Sequence, residues 1–159
     1  MKFRNAALAL ALLAVAPLAS AGTANDSFKV SITIENSCTI AANDLDFGTR
    51  DTLEASIDAQ STVEVTCTGI SPLSVAFDNG TGAGGTASAR KLTNAGSTID
   101  YVLAKDSARS ELLGTGAGTI DAVSTGATQV FPVYGRVLAN QNPKKIGRYL
   151  DTVTATVTF

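Results

Sequence analysis

The sequence predicts an all-β protein, an antiparallel sandwich of the Greek-key type. Apolar and polar residues alternate with a period of two along several short segments, which is the pattern of strands with one buried face. Gly, Asn, Asp and Ser separate these segments, and no segment shows the 3.6-residue period of an amphipathic helix. A chain of 159 residues has the length of one domain.

The predicted strands follow one another along the chain with turn residues between them. In the first, residues 28–34, four apolar side chains alternate with Lys, Ser and Thr. Short apolar segments at 38–40 and 45–48 precede further strands at residues 61–68, 73–77, 99–103, 129–137 and 149–159. Pro132 lacks a backbone N–H, so it predicts an edge position or a bulge within its strand.

The N-terminus has the pattern of a secretory signal peptide, residues 1–21. Lys2 and Arg4 precede an unbroken apolar run at residues 6–16, and small residues lead to a cleavage site after Ala21. A membrane span is the alternative, but it needs roughly 20 apolar residues. Without Lys2 and Arg4, 10 basic residues remain against 14 acidic ones. This mildly acidic balance disfavours nucleic acid and anionic membranes as partners.

Secretion and the absence of histidine narrow the chemistry. In an oxidising compartment, Cys38 and Cys67 are expected to form a structural disulfide. Without His, the chain can build no Ser-His or Cys-His nucleophile pair and no histidine metal site. The acidic residues between 44 and 58 fit no calcium-loop spacing, and the glycine-rich stretches lack the Gly-Lys-Ser/Thr of a phosphate loop. We therefore expect no enzyme activity, metal or cofactor.

Two features of the strand order leave alternatives open. The last predicted strand runs to Phe159, so no further strand follows it to pair with its free side. The first strand, residues 28–34, is followed by Cys38 without a Gly or Pro hairpin that would fold it back. The first strand therefore either belongs to its own sandwich or lies outside it while one sheet edge lacks a strand.

The chain resembles the spore coat protein U domain family, which includes major subunits of archaic chaperone-usher pili. The resemblance covers essentially the whole mature chain and depends on the order of several motifs. These motifs are residues 38–40 (CTI), 45–49 (LDFGT), 63–68 (VEVTCT), 132–137 (PVYGRV) and 147–159 (GRYLDTVTATVTF).

The resemblance implies an incomplete immunoglobulin-like sandwich, residues 37–159, that is completed by donor-strand complementation. The N-terminal extension, residues 22–36, would act as the donor strand for a neighbouring subunit and insert Phe28, Val30, Ile32 and Ile34. The acceptor groove would be lined by Ile40, Val153, Ala155, Val157 and Phe159. The implied partners are other pilin subunits, a periplasmic chaperone and an outer-membrane usher. The implied location is a pilus or fimbrium at the cell surface, serving adhesion or biofilm formation.

Two other functions remain possible on the sequence alone. A non-polymerising spore-coat or surface-layer protein of the same fold would keep the disulfide but retain its first strand in its own sheet. A carbohydrate-binding sandwich would need an aromatic platform, and the chain offers only Tyr101, Tyr134 and Tyr149, with no Trp.

Overall fold

The computed structural model describes residues 20–159, so nearly all of the predicted signal peptide, residues 1–21, lies outside the described part. The chain divides after Thr33 into two units. Residues 20–33, in the first unit, form no regular secondary structure. Residues 34–159, the second unit, are called the body here.

The body is a sandwich of two antiparallel sheets. One sheet has five strands in the order β1-β2-β7-β5-β4, and the other has three in the order β6-β3-β8. A three-residue 3-10 helix, Gly116–Gly118, precedes β6. The strands are β1 (Cys38–Ala42), β2 (Ile57–Cys67), β3 (Pro72–Phe77), β4 (Arg90–Asn94), β5 (Ser97–Ala104), β6 (Ile120–Val123), β7 (Thr128–Val137) and β8 (Ala155–Thr158).

The alternation seen in the sequence places the core between the sheets. In β2, Val63, Val65 and Cys67 are buried, while the residues between them are at least partly exposed. β3 shows the same alternation, with its apolar residues facing inward. The buried core comprises Leu53, Val63, Val65, Cys67, Leu73, Val75, Phe77, Ile99, Tyr101, Leu103, Leu113, Val133 and Val137. The all-β sandwich predicted from the period of two is confirmed.

The predicted disulfide between Cys38 and Cys67 is present. The two cysteines are directly opposite each other in the β1–β2 pairing, so the bond joins an edge strand to its neighbour. No helix within residues 20–159 is long and apolar enough to cross a membrane.

Two predicted strands differ from the structure: residues 28–34, predicted as the first strand, form no regular secondary structure, and the last strand is shorter than predicted. Residues 149–159 were expected to be one strand, but β8 covers only Ala155–Thr158. Leu150 instead exchanges two backbone hydrogen bonds with Thr93 of β4, which belongs to the five-stranded sheet. Residues 151–154 then cross to the three-stranded sheet. This crossing keeps the apolar alternation intact, so the sequence pattern alone did not reveal it.

Pro132 lies where β7 is locally an edge. On one side it is opposite Thr62 of β2. On the other side, β5 pairs with β7 only from Tyr134 to Val137. The predicted edge position is therefore correct for the first half of a strand whose second half is central.

The disulfide gives a testable contribution to stability. It closes a loop of 29 residues, for which chain entropy predicts about 3.6 kcal/mol. We expect the double variant Cys38→Ser, Cys67→Ser to lose a large part of this free energy of unfolding in urea titrations. A reductant should destabilise the wild type similarly and leave the double variant unchanged; equal stability of both oxidised proteins would contradict the prediction.

Candidate functional site

A cleft of about 1420 Å³ opens between the two sheets of the body. One wall is formed by the last residue of β1 and the segment that follows it, residues 42–53, and the other by residues 149–155. The floor consists of inward-facing core residues. Those that line the cleft include Val63, Phe77, Leu92, Ile99, Tyr101, Leu103, Val133 and Val137. The cleft therefore gives access to the hydrophobic core.

The first wall depends on a glycine in β7. Leu45 and Phe47 lie over Gly135, where an added Cβ would come within 2.9 Å of Leu45 Cδ1 and 3.0 Å of Phe47 Cζ. The Phe47 ring also packs edge-on against Tyr101, with 6.1 Å between the ring centroids. A side chain at position 135 would have to displace the tips of Leu45 and Phe47, so glycine at this position leaves room for this wall.

The second wall is held by the carboxylate of Asp151. Its Oδ1 accepts hydrogen bonds from the backbone N–H groups of Thr81 and Gly82, at 2.7 and 3.1 Å. Its Oδ2 accepts one from the Tyr101 hydroxyl at 2.7 Å. Burial, with the Asp151 hydrogen bond and charge, raises the pKa of Tyr101, so its hydroxyl stays protonated and donates. Asp151 thus fixes the point where the chain crosses between the sheets.

A fully buried arginine, Arg90, also stabilises the second wall. Arg90 donates hydrogen bonds to the backbone carbonyls of Asp78, Ala87 and Leu113 at 2.7 to 3.2 Å. Asp78 in turn donates its N–H to the carbonyl of Thr154, and its Oδ1 accepts the N–H of Thr154. Because buried polar groups are costly without partners, this network resists movement.

β8 carries a free backbone edge beside the cleft. Within residues 20–159, β8 pairs only with β3, and β1 pairs only with β2. The backbone groups of Thr154 bond toward the β3 side, at Asp78. Because these directions alternate along an antiparallel strand, the N–H and C=O groups of Val153, Ala155 and Val157 point away from β3. The side chains of these three residues are half-buried against the core.

The predicted acceptor residues are only partly brought together. Val153 and Ala155 line the cleft. Ile40 and Val157 pack against the core but lie outside the cleft lining. Phe159 is 52% exposed and lies beside Pro72 and Leu73 in a separate shallow depression. The assignment of all five residues to an acceptor groove stays a prediction.

The opposite wall was missed by the sequence analysis. Leu45 and Phe47 line the cleft together with Val153 and Ala155, whereas Ile40 does not. The signal was available, because these two residues alternate with Asp46 within a motif already noted. Tyr149 also lines the cleft, where its hydroxyl bonds to Ser97 Oγ and to the carbonyl of Lys145.

The predicted donor residues are exposed. Phe28, Val30, Ile32 and Ile34 each expose 84 to 87% of their surface, and neither sheet of the described residues includes them. Four large apolar side chains in sequence, all exposed, are unusual for a monomeric protein. Within residues 20–159, no cluster of His, Cys, Asp or Glu side chains could hold a metal ion.

The family model described as Spore Coat Protein U domain matches residues 24–156. The chain belongs to this family. The match covers both the exposed apolar segment and the body. No curated protein matches the sequence.

Two solved structures that match the chain come from pilus assembly. One is a chain of the CsuC-CsuE chaperone-tip adhesion subunit pre-assembly complex, from archaic chaperone-usher Csu pili of Acinetobacter baumannii. The TM-score is 0.60 and the identity 23%, over 80% of this chain and 41% of that chain. Another belongs to a chaperone-tip adhesin complex of CFA/I fimbriae biogenesis, with a TM-score of 0.46 and 15% identity over 76% of this chain and 42% of that one. This Spore Coat Protein U domain chain thus spans less than half the length of either. The first match confirms the predicted immunoglobulin-like fold.

Asp151 provides a test of the second wall. Asp151→Ala leaves the buried Tyr101 hydroxyl and two loop N–H groups without their acceptor, so we expect a loss of about 2 to 4 kcal/mol in the free energy of unfolding. The matched control is Asp121→Ala at an exposed position, which should change stability by less than about 0.5 kcal/mol. Urea titrations measure both, and equal effects would contradict the role of Asp151.

Proposed function

We propose that this protein is a structural subunit of a secreted surface pilus. Each subunit polymerises by donating its N-terminal segment, residues 22–36, to the cleft of the next subunit. The single observation that carries the proposal is a matching pair of unsatisfied surfaces. One is an exposed apolar segment, and the other is a cleft into the core beside a free strand edge.

The donor segment and the cleft match in their chemistry. The donated strand would offer apolar side chains every second residue to a cleft whose floor is apolar and whose walls present Leu45, Phe47, Val153 and Ala155 among polar residues. Its backbone would pair with the free groups of Val153, Ala155 and Val157, which is strand addition at a sheet edge. Burial of four large apolar side chains would contribute a gross free energy on the order of 6 to 12 kcal/mol. Ordering the segment offsets much of this gain.

The same arrangement favours a polymer. The donor segment and the cleft are different surfaces of one chain, so the contact between copies is heterologous and leaves a donor and a cleft unused at the two ends. Such contacts continue into a fibre unless the rotation between copies closes a ring.

An open cleft also requires protection before assembly. A free strand edge beside exposed core residues is a template for aggregation. We infer that a periplasmic chaperone covers the cleft with a strand of its own, and that an outer-membrane usher directs the exchange for the next subunit's segment. The similarity of fold to a chain of the CsuC-CsuE chaperone-subunit complex supports this inference. Export would follow cleavage of the predicted signal peptide.

Asn36 refines the boundary of the donor segment. Its side-chain Oδ1 accepts the N–H of Gly69, and its Nδ2 donates to Ser71 Oγ. Asn36 is therefore attached to its own body, and the segment free to leave ends at Glu35. A deletion that tests donation should keep Asn36.

Deletion of residues 22–35 tests donation directly. We expect the shortened chain, coexpressed with its chaperone, to form no fibres but to bind a synthetic peptide of residues 22–35. In the peptide, Ile32→Glu should weaken binding at least tenfold because it places a charge in the apolar cleft, whereas Thr33→Glu on the opposite face should have little effect. Fluorescence anisotropy measures binding, and electron microscopy detects fibres. Normal fibres from the shortened chain would disprove donation.

The cleft itself is tested at Ala155. Ala155→Trp should fill the space that a donated side chain needs and abolish fibres, because Ala155 lines the cleft. Thr156→Trp, at the neighbouring exposed position, is the matched control and should assemble normally. Electron microscopy of shed surface material, with immunoblots for the exported subunit, separates failed assembly from failed export. Fibres from both variants would place the donor elsewhere.

A further inference from the structure

The chain leaves its body at the end that carries the disulfide, called here the disulfide end. Asn36 is fixed there by its hydrogen bonds to Gly69 and Ser71. Ser37 and Thr68 exchange two more hydrogen bonds, of 3.0 and 2.9 Å. The point from which a donated strand departs is therefore rigid and lies against the loop of residues 68–71.

The link between this anchor and the donor strand is very short. Only Glu35 separates Asn36 from Ile34, the last apolar residue of the donor segment. Two residue steps of extended chain span at most about 7 Å. If Ile34 binds in a neighbour's cleft, as the proposed function requires, the neighbour's body must therefore touch the loop that holds Asn36.

That loop is uncharged and exposes one large apolar side chain. Ile70 is 80% exposed, and nearby Val123 is 56% exposed opposite Pro72. The loop is also stiff, because the buried Ser124 Oγ accepts the N–H of Ser71 and donates to the carbonyl of Gly69. An exposed isoleucine held between two fixed residues is suited to packing against another body.

The geometry of the cleft indicates which part of the neighbour meets this surface. β1 and β8 approach to within 8 Å between Cα atoms. Only Ala42 and Ala155, the residues of these strands farthest from the disulfide end, line the cleft, so the cleft is closed toward that end. At the opposite end, the lining reaches the exposed loop of residues 144–148. A strand attached to a bulky body must enter from that opposite end, so its Ile34 lies nearest the loop of residues 144–148.

The loop of residues 144–148 is basic and carries one exposed apolar residue. It therefore complements the acidic Glu35 and the apolar Ile70 at the disulfide end. It carries Lys144, Lys145 and Arg148 around a fully exposed Ile146. Lys145 is tied to the carbonyl of Ala95, which fixes part of the loop. The acidic Glu35 of the entering chain would meet these basic residues, and Ile70 beside it would meet Ile146.

We propose that the disulfide end of each subunit, centred on Ile70, packs against the loop of residues 144–148 of the subunit that receives its donor strand. This second contact rests on the proposed donation but is separate from it. It would fix the angle between successive bodies and slow the dissociation of the fibre.

The experiment uses full-length subunits assembled into fibres. Ile70→Lys alone places a cation against the basic loop, and Ile146→Glu alone removes the apolar partner of Ile70. Each should speed fibre dissociation in guanidinium by roughly tenfold, as expected from the loss of one buried aliphatic contact. The chain with both substitutions places Glu against Lys at every junction and should recover a large part of the wild-type rate. Ile70→Ser provides a milder variant if Ile70→Lys assembles poorly.

Two outcomes separate this proposal from donation itself. If all of these variants assemble and dissociate at the wild-type rate, the second contact is wrong while donation stands. If Ile32→Glu in the donor segment also assembles normally, donation itself fails. Faster fibre dissociation in both single variants, without a return toward the wild-type rate in the double variant, would also overturn the pairing of Ile70 with Ile146.

Discussion

The account of this protein depends on one uncovered sheet edge, that of β8. In a β-sandwich, an edge beside the core is normally covered by another strand or segment. Among the described residues, 20–159, β8 pairs on one side only, and the cleft beside it reaches the core of the body. Backbone groups and apolar side chains exposed together at one edge favour the addition of another strand. The exposed segment of residues 28–34 has the alternation that such an edge requires. The proposed role as a fibre subunit follows from this complementarity.

Polar interactions hold the walls of the cleft in place, although the cleft is proposed to bind apolar side chains. Asp151 and Asp78 join the crossing segment of residues 151–154 to the loop after β3, residues 78–89. Arg90 donates hydrogen bonds to backbone carbonyls of the same loop from within the core. Gly135 leaves room for Leu45 and Phe47 on the opposite side. These groups lie at the margins of the cleft, so both walls keep their positions while the floor stays free for a strand.

The sequence predicted the parts of the fold that follow from local alternation. The inward faces of β2, β3 and β7, and the disulfide, were predictable from period-two patterns and from the expected oxidising compartment. β4 and β6 were not predicted, since β4 opens on a buried Arg90 and β6 has only four residues. The crossing of residues 149–154 was hidden because Val153, Ala155 and Val157 alternate identically whichever sheet they join. Leu45 and Phe47 reach the cleft through long-range contacts, which the alternation of apolar and polar residues along a strand does not predict.

The most direct test is a cryo-electron microscopy map of the assembled fibre at a resolution that shows side chains. The account predicts that residues 28–34 of one subunit lie between residues 42–50 and 153–157 of the next, antiparallel to β8, with Ile32 facing the core. A map in which residues 28–34 occupy the cleft of their own chain, or in which the cleft is empty along the fibre, would contradict it.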